Sequence, residues 1–125
     1  MIIRILAAVG LLTTSAAAHE LTPTYPKLRP SFMEGVYVTE MHMWNRRSDV
    51  KYYGVGVFDK DMEAIPFATS TKILRLEHLA HLDFDVYVRG KDVDRAVYIC
   101  TWSKQLKQDV KGTGIQSKIC SRFEK

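Results

Sequence analysis

The sequence contains little cysteine, no cluster of basic residues and no long apolar run beyond its N-terminal end. The formal net charge is +4 in 125 residues, and Arg46-Arg47 is the only adjacent pair of arginines. A nucleic-acid partner is not expected, because such binding requires a basic patch with interleaved aromatic residues. The lack of a second apolar segment predicts that the mature protein does not insert into a membrane.

The familiar sequence motifs of enzymes are also missing. There is no G-x-S-x-G, and the glycines of "GVG" at 54–56 lie in a predicted strand with no helix after it, so they form no dinucleotide-binding loop. The acidic run at 59–63 lacks the glycine and the distal glutamate of a calcium loop. We therefore predict that the chain is not an enzyme and needs no cofactor.

The first 18 residues have the layout of a signal peptide. Arg4 precedes an apolar stretch at 5–12, and Ala16-Ala17-Ala18 forms an A-x-A cleavage site. Cleavage before His19 would leave residues 19–125, which is 125 − 18 = 107 residues with a net charge of +3. The two cysteines, Cys100 and Cys120, suit one structural disulfide in an exported protein. We expect a periplasmic or secreted location.

Short apolar runs separated by turn residues about every ten positions predict an all-β fold. The alternation is clearest at 82–88, where every second residue is apolar. Residues 19–30 contain three prolines and predict only an irregular edge strand. We expect one domain over 19–125, a single immunoglobulin-like β-sandwich of seven to eight antiparallel strands.

Two stretches resemble known families. "DRAVYIC" at 94–100 resembles the D-x-A-x-Y-x-C of strand F in immunoglobulin domains. Strand B carries no cysteine and the second cysteine lies near the C-terminus, so a Cys100–Cys120 bridge between neighbouring strands F and G is the simpler interpretation. Residues 43–88 resemble the N-terminal domain of periplasmic pilus-assembly chaperones (PapD-like) and their major-sperm-protein relatives. The chain also resembles, more distantly, small exported immunoglobulin-like proteins of marine bacteriophages. The motifs that carry the PapD-like resemblance are Met41-x-Met43-x-Asn45, Val55-x-Val57-x-Asp59, Pro66-Phe67 and Arg75-Leu76-Glu77.

The PapD-like resemblance implies a protein-binding module that adds a partner strand to a sheet edge. We expect the last strand to offer Ile115, Ile119 and Phe123 to the partner, with Tyr25 on the opposite, irregular edge. The same edges would also suit self-association, or a structural role in a phage particle or cell envelope.

A copper-binding periplasmic protein is the alternative function. Cleavage before His19 would expose an α-amine beside an imidazole, a pair that chelates Cu(II), and His42, His78 or His81 would supply a further nitrogen. If "EHLAH" at 77–81 were helical, His78 and His81 would share one face and hold zinc with Glu77 nearby.

The stretch "EMHMWN" at 40–45 is rich in metal-binding residue types but does not form a metal site by itself. On a strand, Met41 and Met43 point to one side while His42 and Trp44 point to the other. We predict that the methionines pack in the core. The histidine and tryptophan are expected on an outer face suited to a partner.

Overall fold

A computed structural model describes residues 18–105 and 116–125, which form nine β-strands and one turn of 3-10 helix. This confirms the all-β prediction. Within the described residues, no helix is long and apolar enough to cross a membrane. The strands are β1 (Glu20–Thr22), β2 (Arg29–Pro30), β3 (Val36–Trp44), β4 (Tyr52–Phe58), β5 (Ala64–Ile65), β6 (Ile73–Arg75), β7 (His81–Arg89), β8 (Tyr98–Lys104) and β9 (Lys118–Arg122), and the 3-10 turn is Gly90–Asp92.

The first sheet is built around β3. β1 and β2 pair end to end along one side of β3, and β7 pairs antiparallel along its whole length on the other side. The predicted irregular edge at 19–30 is thus two short strands, which brings the count to nine. Ala68 makes a single bridge to Tyr87 beyond β7.

The second sheet is built around β4 and holds the disulfide. β5 and β6 pair along one side of β4, while β8 and then β9 follow on the other side, all antiparallel. Cys100 of β8 lies directly opposite Cys120 of β9, and the two are bonded, as predicted. With a sequence separation of 20, the bridge contributes about 3 kcal/mol by restricting the unfolded chain.

The core lies between the two sheets and follows the alternation read from the sequence. Met41 and Met43 are 1% and 0% exposed, which confirms that both methionines pack in the core. Burial of each large apolar side chain contributes roughly 1.5–3 kcal/mol. The inward-facing residues of β7 are Leu82, Phe84, Val86 and Val88.

The two glycines of "GVG" make room for a tryptophan. Gly54 and Gly56 lie inside β4, and Gly54 pairs with Trp102 of β8. A Cβ atom on Gly54 would lie 2.5 Å from the Trp102 indole, so only glycine lets the ring lie flat on the strand. The glycines therefore serve packing.

Asn45 is the only asparagine in the chain and joins three segments at one end of the sandwich. Its side chain is fully buried, and its Nδ2 donates to the carbonyl oxygens of Val50 (2.7 Å) and Leu76 (2.9 Å). Its Oδ1 accepts from the backbone N–H of Arg47 (3.0 Å) and from the Tyr53 hydroxyl (2.5 Å). A buried amide satisfied this completely fixes the positions of the chain segments around it.

Replacing Asn45 with alanine should therefore lower the free energy of unfolding by about 3–5 kcal/mol, because several buried polar groups lose their partner together. Chemical denaturation monitored by circular dichroism measures this. Tyr53→Phe, which removes one of these bonds, should cost only about 1 kcal/mol. Equal costs for the two variants would contradict the role assigned to Asn45.

Candidate functional site

The outer face of the first sheet brings several polar and aromatic side chains of β3 and β7 together. Alternate residues of β3 and β7 point away from the core and face each other in directly opposed pairs. This places one aromatic–imidazole pair, one imidazole–carboxylate pair and one carboxylate–carboxylate pair in consecutive rows. The pairs are Trp44 with His81, His42 with Asp83, Glu40 with Asp85, Val38 with Tyr87, and Val36 with Arg89.

Three side chains of this face form a hydrogen-bonded chain that we call the histidine cluster: His42, His81 and Asp83. Nδ1 of His42 bonds to the Asp83 carboxylate, and Nε2 of His42 lies 2.8 Å from Nδ1 of His81. An ionised carboxylate only accepts, so in the neutral form of His42 the contact with Asp83 holds the proton on Nδ1 and leaves Nε2 as an acceptor. His81 then donates from Nδ1.

The histidine cluster is supported from the side by an aromatic stack. The His81 ring lies parallel to the Trp44 indole, with centroids 5.0 Å apart and an interplanar angle of 9°. The guanidinium of Arg46 lies 5.1 Å from the Trp44 ring, and Trp44 Nε1 donates to the Leu79 carbonyl at 3.3 Å. The stack restricts the rotamers of His81 and Trp44 on an exposed surface.

Carboxylates concentrate along β7 next to the cluster. Glu40 and Asp85 are directly opposite each other, and Asp83 precedes Asp85 by two positions on the same face. Like charges in directly opposed positions destabilise a sheet. Neither Glu40 nor Asp85 has an ion pair within the part of the chain that the structure describes. A groove of about 300 Å³ beside them contains no basic residue in its lining, which is Glu40, Ser70, Asp83, Phe84, Asp85 and Tyr87.

The backbone of β7 is open on the side away from β3. Tyr87 exchanges two hydrogen bonds with Ala68 on that side, of 2.8 and 2.9 Å. In an antiparallel ladder alternate residues direct their N–H and C=O groups to the same side, so those of residues 81, 83 and 85 point the same way. Across 18–105 and 116–125, no backbone group pairs with them there.

The predicted binding edge on the last strand needs correction. Phe123 is 3% exposed and packs in the core, so it presents no surface to a partner. The outward N–H groups of Arg122 and Glu124 already donate to the carbonyl oxygens of Thr24 (3.0 Å) and Pro26 (2.8 Å).

The other residues predicted to bind a partner have different placements. Ile119 lies in β9 and packs partly against the core. Tyr25 is 66% exposed and lines a groove of about 600 Å³ between the N-terminal segment and β3. Ile115 lies outside the described residues.

His19, the centre of the predicted copper site, is buried between the sheets. Its ring is 1% exposed, its Nδ1 bonds to Ser117 Oγ at 2.9 Å, and its Nε2 bonds to Thr101 Oγ1 at 2.8 Å. Burial lowers the pKa of His19 from 6.5 to about 4; the charge of Arg47 lowers it further, and the hydrogen bond to Thr101 opposes the shift. Both ring nitrogens therefore bond to hydroxyl groups inside the protein. The copper chelate also requires the α-amine that cleavage before His19 would free, and it stays a prediction.

The predicted zinc arrangement at 77–81 also differs from the structure. The segment is a turn followed by the start of β7, so His78 and His81 do not share a helix face. Glu77 instead forms ion pairs with Arg75 at 3.2 Å and Lys51 at 3.5 Å. Among the described side chains, no set of three or more histidine, cysteine, aspartate or glutamate residues is arranged to hold a metal ion.

The sequence placed His42 and Trp44 on the outer face correctly, but it did not identify the open edge of β7. The signal was present, since Asp83 and Asp85 occupy the polar positions of the clearest alternating stretch. The alternation shows to which side each side chain points, but it does not show which strands become neighbours. The neighbours decide which edge remains open.

Comparison with known protein families and with curated protein sequences finds no match to this chain.

The buried imidazole gives a test of its own through the pH dependence of stability. Between pH 6.5 and about 4 the unfolded chain protonates His19 while the folded chain does not. The contribution of neutral His19 to the free energy of unfolding is complete above pH 6.5. It decreases by about 1.4 kcal/mol for each unit that the pH falls, down to about pH 4. Urea unfolding of wild type and His19→Gln at several pH values should show a steeper loss for wild type. The exposed variant His78→Gln should retain the wild-type slope, and a wild-type slope in His19→Gln would contradict the assignment.

Proposed function

We propose that this chain is an exported, non-enzymatic protein-binding module that pairs a strand of its partner with the open edge of β7. The observation that carries the proposal is the row of outward backbone groups at residues 81, 83 and 85 beside an acidic groove. Backbone hydrogen bonds would supply affinity, and alternate side chains would supply specificity. Export is supported by the signal-like N-terminal sequence and is compatible with the disulfide.

An immunoglobulin-like, PapD-like assignment of the sandwich is part of the proposal. It is supported by the strand order, in which β3 lies between an N-terminal edge and β7, while β4, β8 and β9 are consecutive neighbours. Immunoglobulin domains place their strands A, B and E in one sheet and C, F and G in the other. The buried Asn45 at the end of β3 matches the asparagine in the chaperone-like motif on which the resemblance rests.

The charges along β7 define the chemistry of the partner. A strand added to this edge would place every second side chain beside Asp83 and Asp85, where lysine or arginine would offset the negative charge of the carboxylates. The intervening side chains would point toward the partly buried Leu82 and toward Phe84, which lines the groove. The expected partner segment therefore alternates basic and apolar residues.

The same charges disfavour a second copy of this chain as the occupant. Pairing β7 with another β7 would bring the aspartates of two copies together on one face, and like charges opposite each other are destabilising. The acidic residues thus protect the edge from self-association while leaving it open to a basic strand. A permanent place in a phage particle or envelope would use the same surface with a structural partner.

A synthetic hexapeptide of alternating lysine and valine, capped at both ends, tests this surface by isothermal titration calorimetry. We expect it to bind, and a matched peptide with glutamate in place of lysine should not bind. Asp85→Asn should weaken binding roughly tenfold, because a charge pair worth about 1.4 kcal/mol is lost while the backbone donor remains.

Two further measurements separate strand pairing from simple charge attraction. Asp85→Pro removes the outward N–H, a change that the free edge of a sheet tolerates, and should abolish binding. A lysine–valine peptide carrying N-methyl groups on alternate amides should also fail to bind. If the N-methylated peptide binds as well as its parent, the edge model is wrong.

A further inference from the structure

The histidine cluster holds two imidazole nitrogens on adjacent strands at the separation that neighbouring ligands of one metal ion have. His42 Nε2 and His81 Nδ1 lie 2.8 Å apart on adjacent strands, with only the His81 proton between them. The His42 side chain is 40% exposed and His81 is also exposed, so an ion and its water ligands can reach both rings from solvent. This site does not depend on the proposed strand pairing.

The hydrogen bond to Asp83 prepares one of the two ligands. It keeps the proton of His42 on Nδ1 and directs the Nε2 lone pair toward His81. Carboxylate–histidine–metal arrangements orient and strengthen an imidazole ligand in this way. Asp83 is consequently a positioning residue and not a ligand. The cluster therefore supplies two protein ligands, in agreement with the absence of a three-ligand set among the described side chains.

The separation of the two nitrogens favours one coordination geometry. Ligands about 2.0 Å from an ion and at right angles to each other lie about 2.8 Å apart, whereas tetrahedral ligands at that distance lie about 3.3 Å apart. Right-angled nitrogen ligands are typical of tetragonal Cu(II), which also stands at the top of the divalent affinity series. We propose that His42 Nε2 and His81 Nδ1 form a surface Cu(II) site completed by water.

Binding at this site requires His81 to change its tautomer. Its Nδ1 proton passes to solvent and Nε2 takes up a proton, so that the ring stays neutral and Nδ1 offers its lone pair to the ion. Both rings must also turn so that their lone pairs meet at the metal. His42 can turn while it retains Asp83, because the carboxylate is exposed and its side chain can follow. The stack with Trp44 limits the movement of His81 and places an indole 5.0 Å from a ligand ring.

Titration of the full chain with CuCl₂, followed by electron paramagnetic resonance and tryptophan fluorescence, tests the proposal. To exclude chelation by the terminal amine, the N-terminus is acetylated. We expect one Cu(II) with a spectrum of two imidazole nitrogens, and quenching of Trp44 at the same equivalence point. His42→Gln and His81→Gln should each remove the two-nitrogen signal. His78→Gln, which changes an exposed histidine outside the cluster, should leave it intact.

Asp83→Asn provides the graded test of the positioning residue. It keeps both imidazoles and should lower the Cu(II) affinity by about 10- to 100-fold, as expected for loss of a carboxylate that orients a metal-bound histidine. Circular dichroism confirms that each variant is folded. A two-nitrogen signal that persists in His81→Gln, or that disappears in His78→Gln, would overturn the site. So would wild-type protein that binds Cu(II) without quenching Trp44.

Discussion

The packing of the two sheets against each other depends on one buried side-chain amide at one end of the sandwich. Asn45 follows directly on β3 and binds the backbone just before β4 and just after β6, so it ties the first sheet to the second through hydrogen bonds. Tyr53 brings β4 into the same network, and the ring of His19 packs against Tyr53 with centroids 4.6 Å apart. A polar group is expensive to bury unless it is fully satisfied, so this arrangement specifies one relation between the two sheets.

This packing also determines which side chains lie on the outer face of the first sheet. Because Met41 and Met43 point inward, His42 and Trp44 must point outward, and the register of β3 with β7 then places each of them opposite one residue. A shift of one residue would turn every inward side chain outward. The histidine cluster and the acidic row are thus consequences of the core, since the core fixes which side chains meet.

The outward edges of β9 and β7 are protected in different ways. At β9 the N-terminal segment covers the outward donors of Arg122 and Glu124, and the Cys100–Cys120 bridge attaches the strand to β8. At β7, among the described residues, only Tyr87 is paired on the outward side, with Ala68, and the remaining edge carries aspartates. Edge strands are commonly protected by such charges, and in the function proposed above the same charges would select a basic partner.

The sequence by itself determined the strand class, the facing of β3 and β7, and the disulfide. These follow from local rules, because the alternation of 82–88 needs no knowledge of neighbours and two cysteines allow one pairing. The tertiary structure alone decided which edge stays open, that Phe123 is buried, and that His19 is held by Thr101 and Ser117. It also brought Asp83 to His42, residues 41 positions apart. Such contacts depend on register and on the packing of distant segments, which no local pattern encodes.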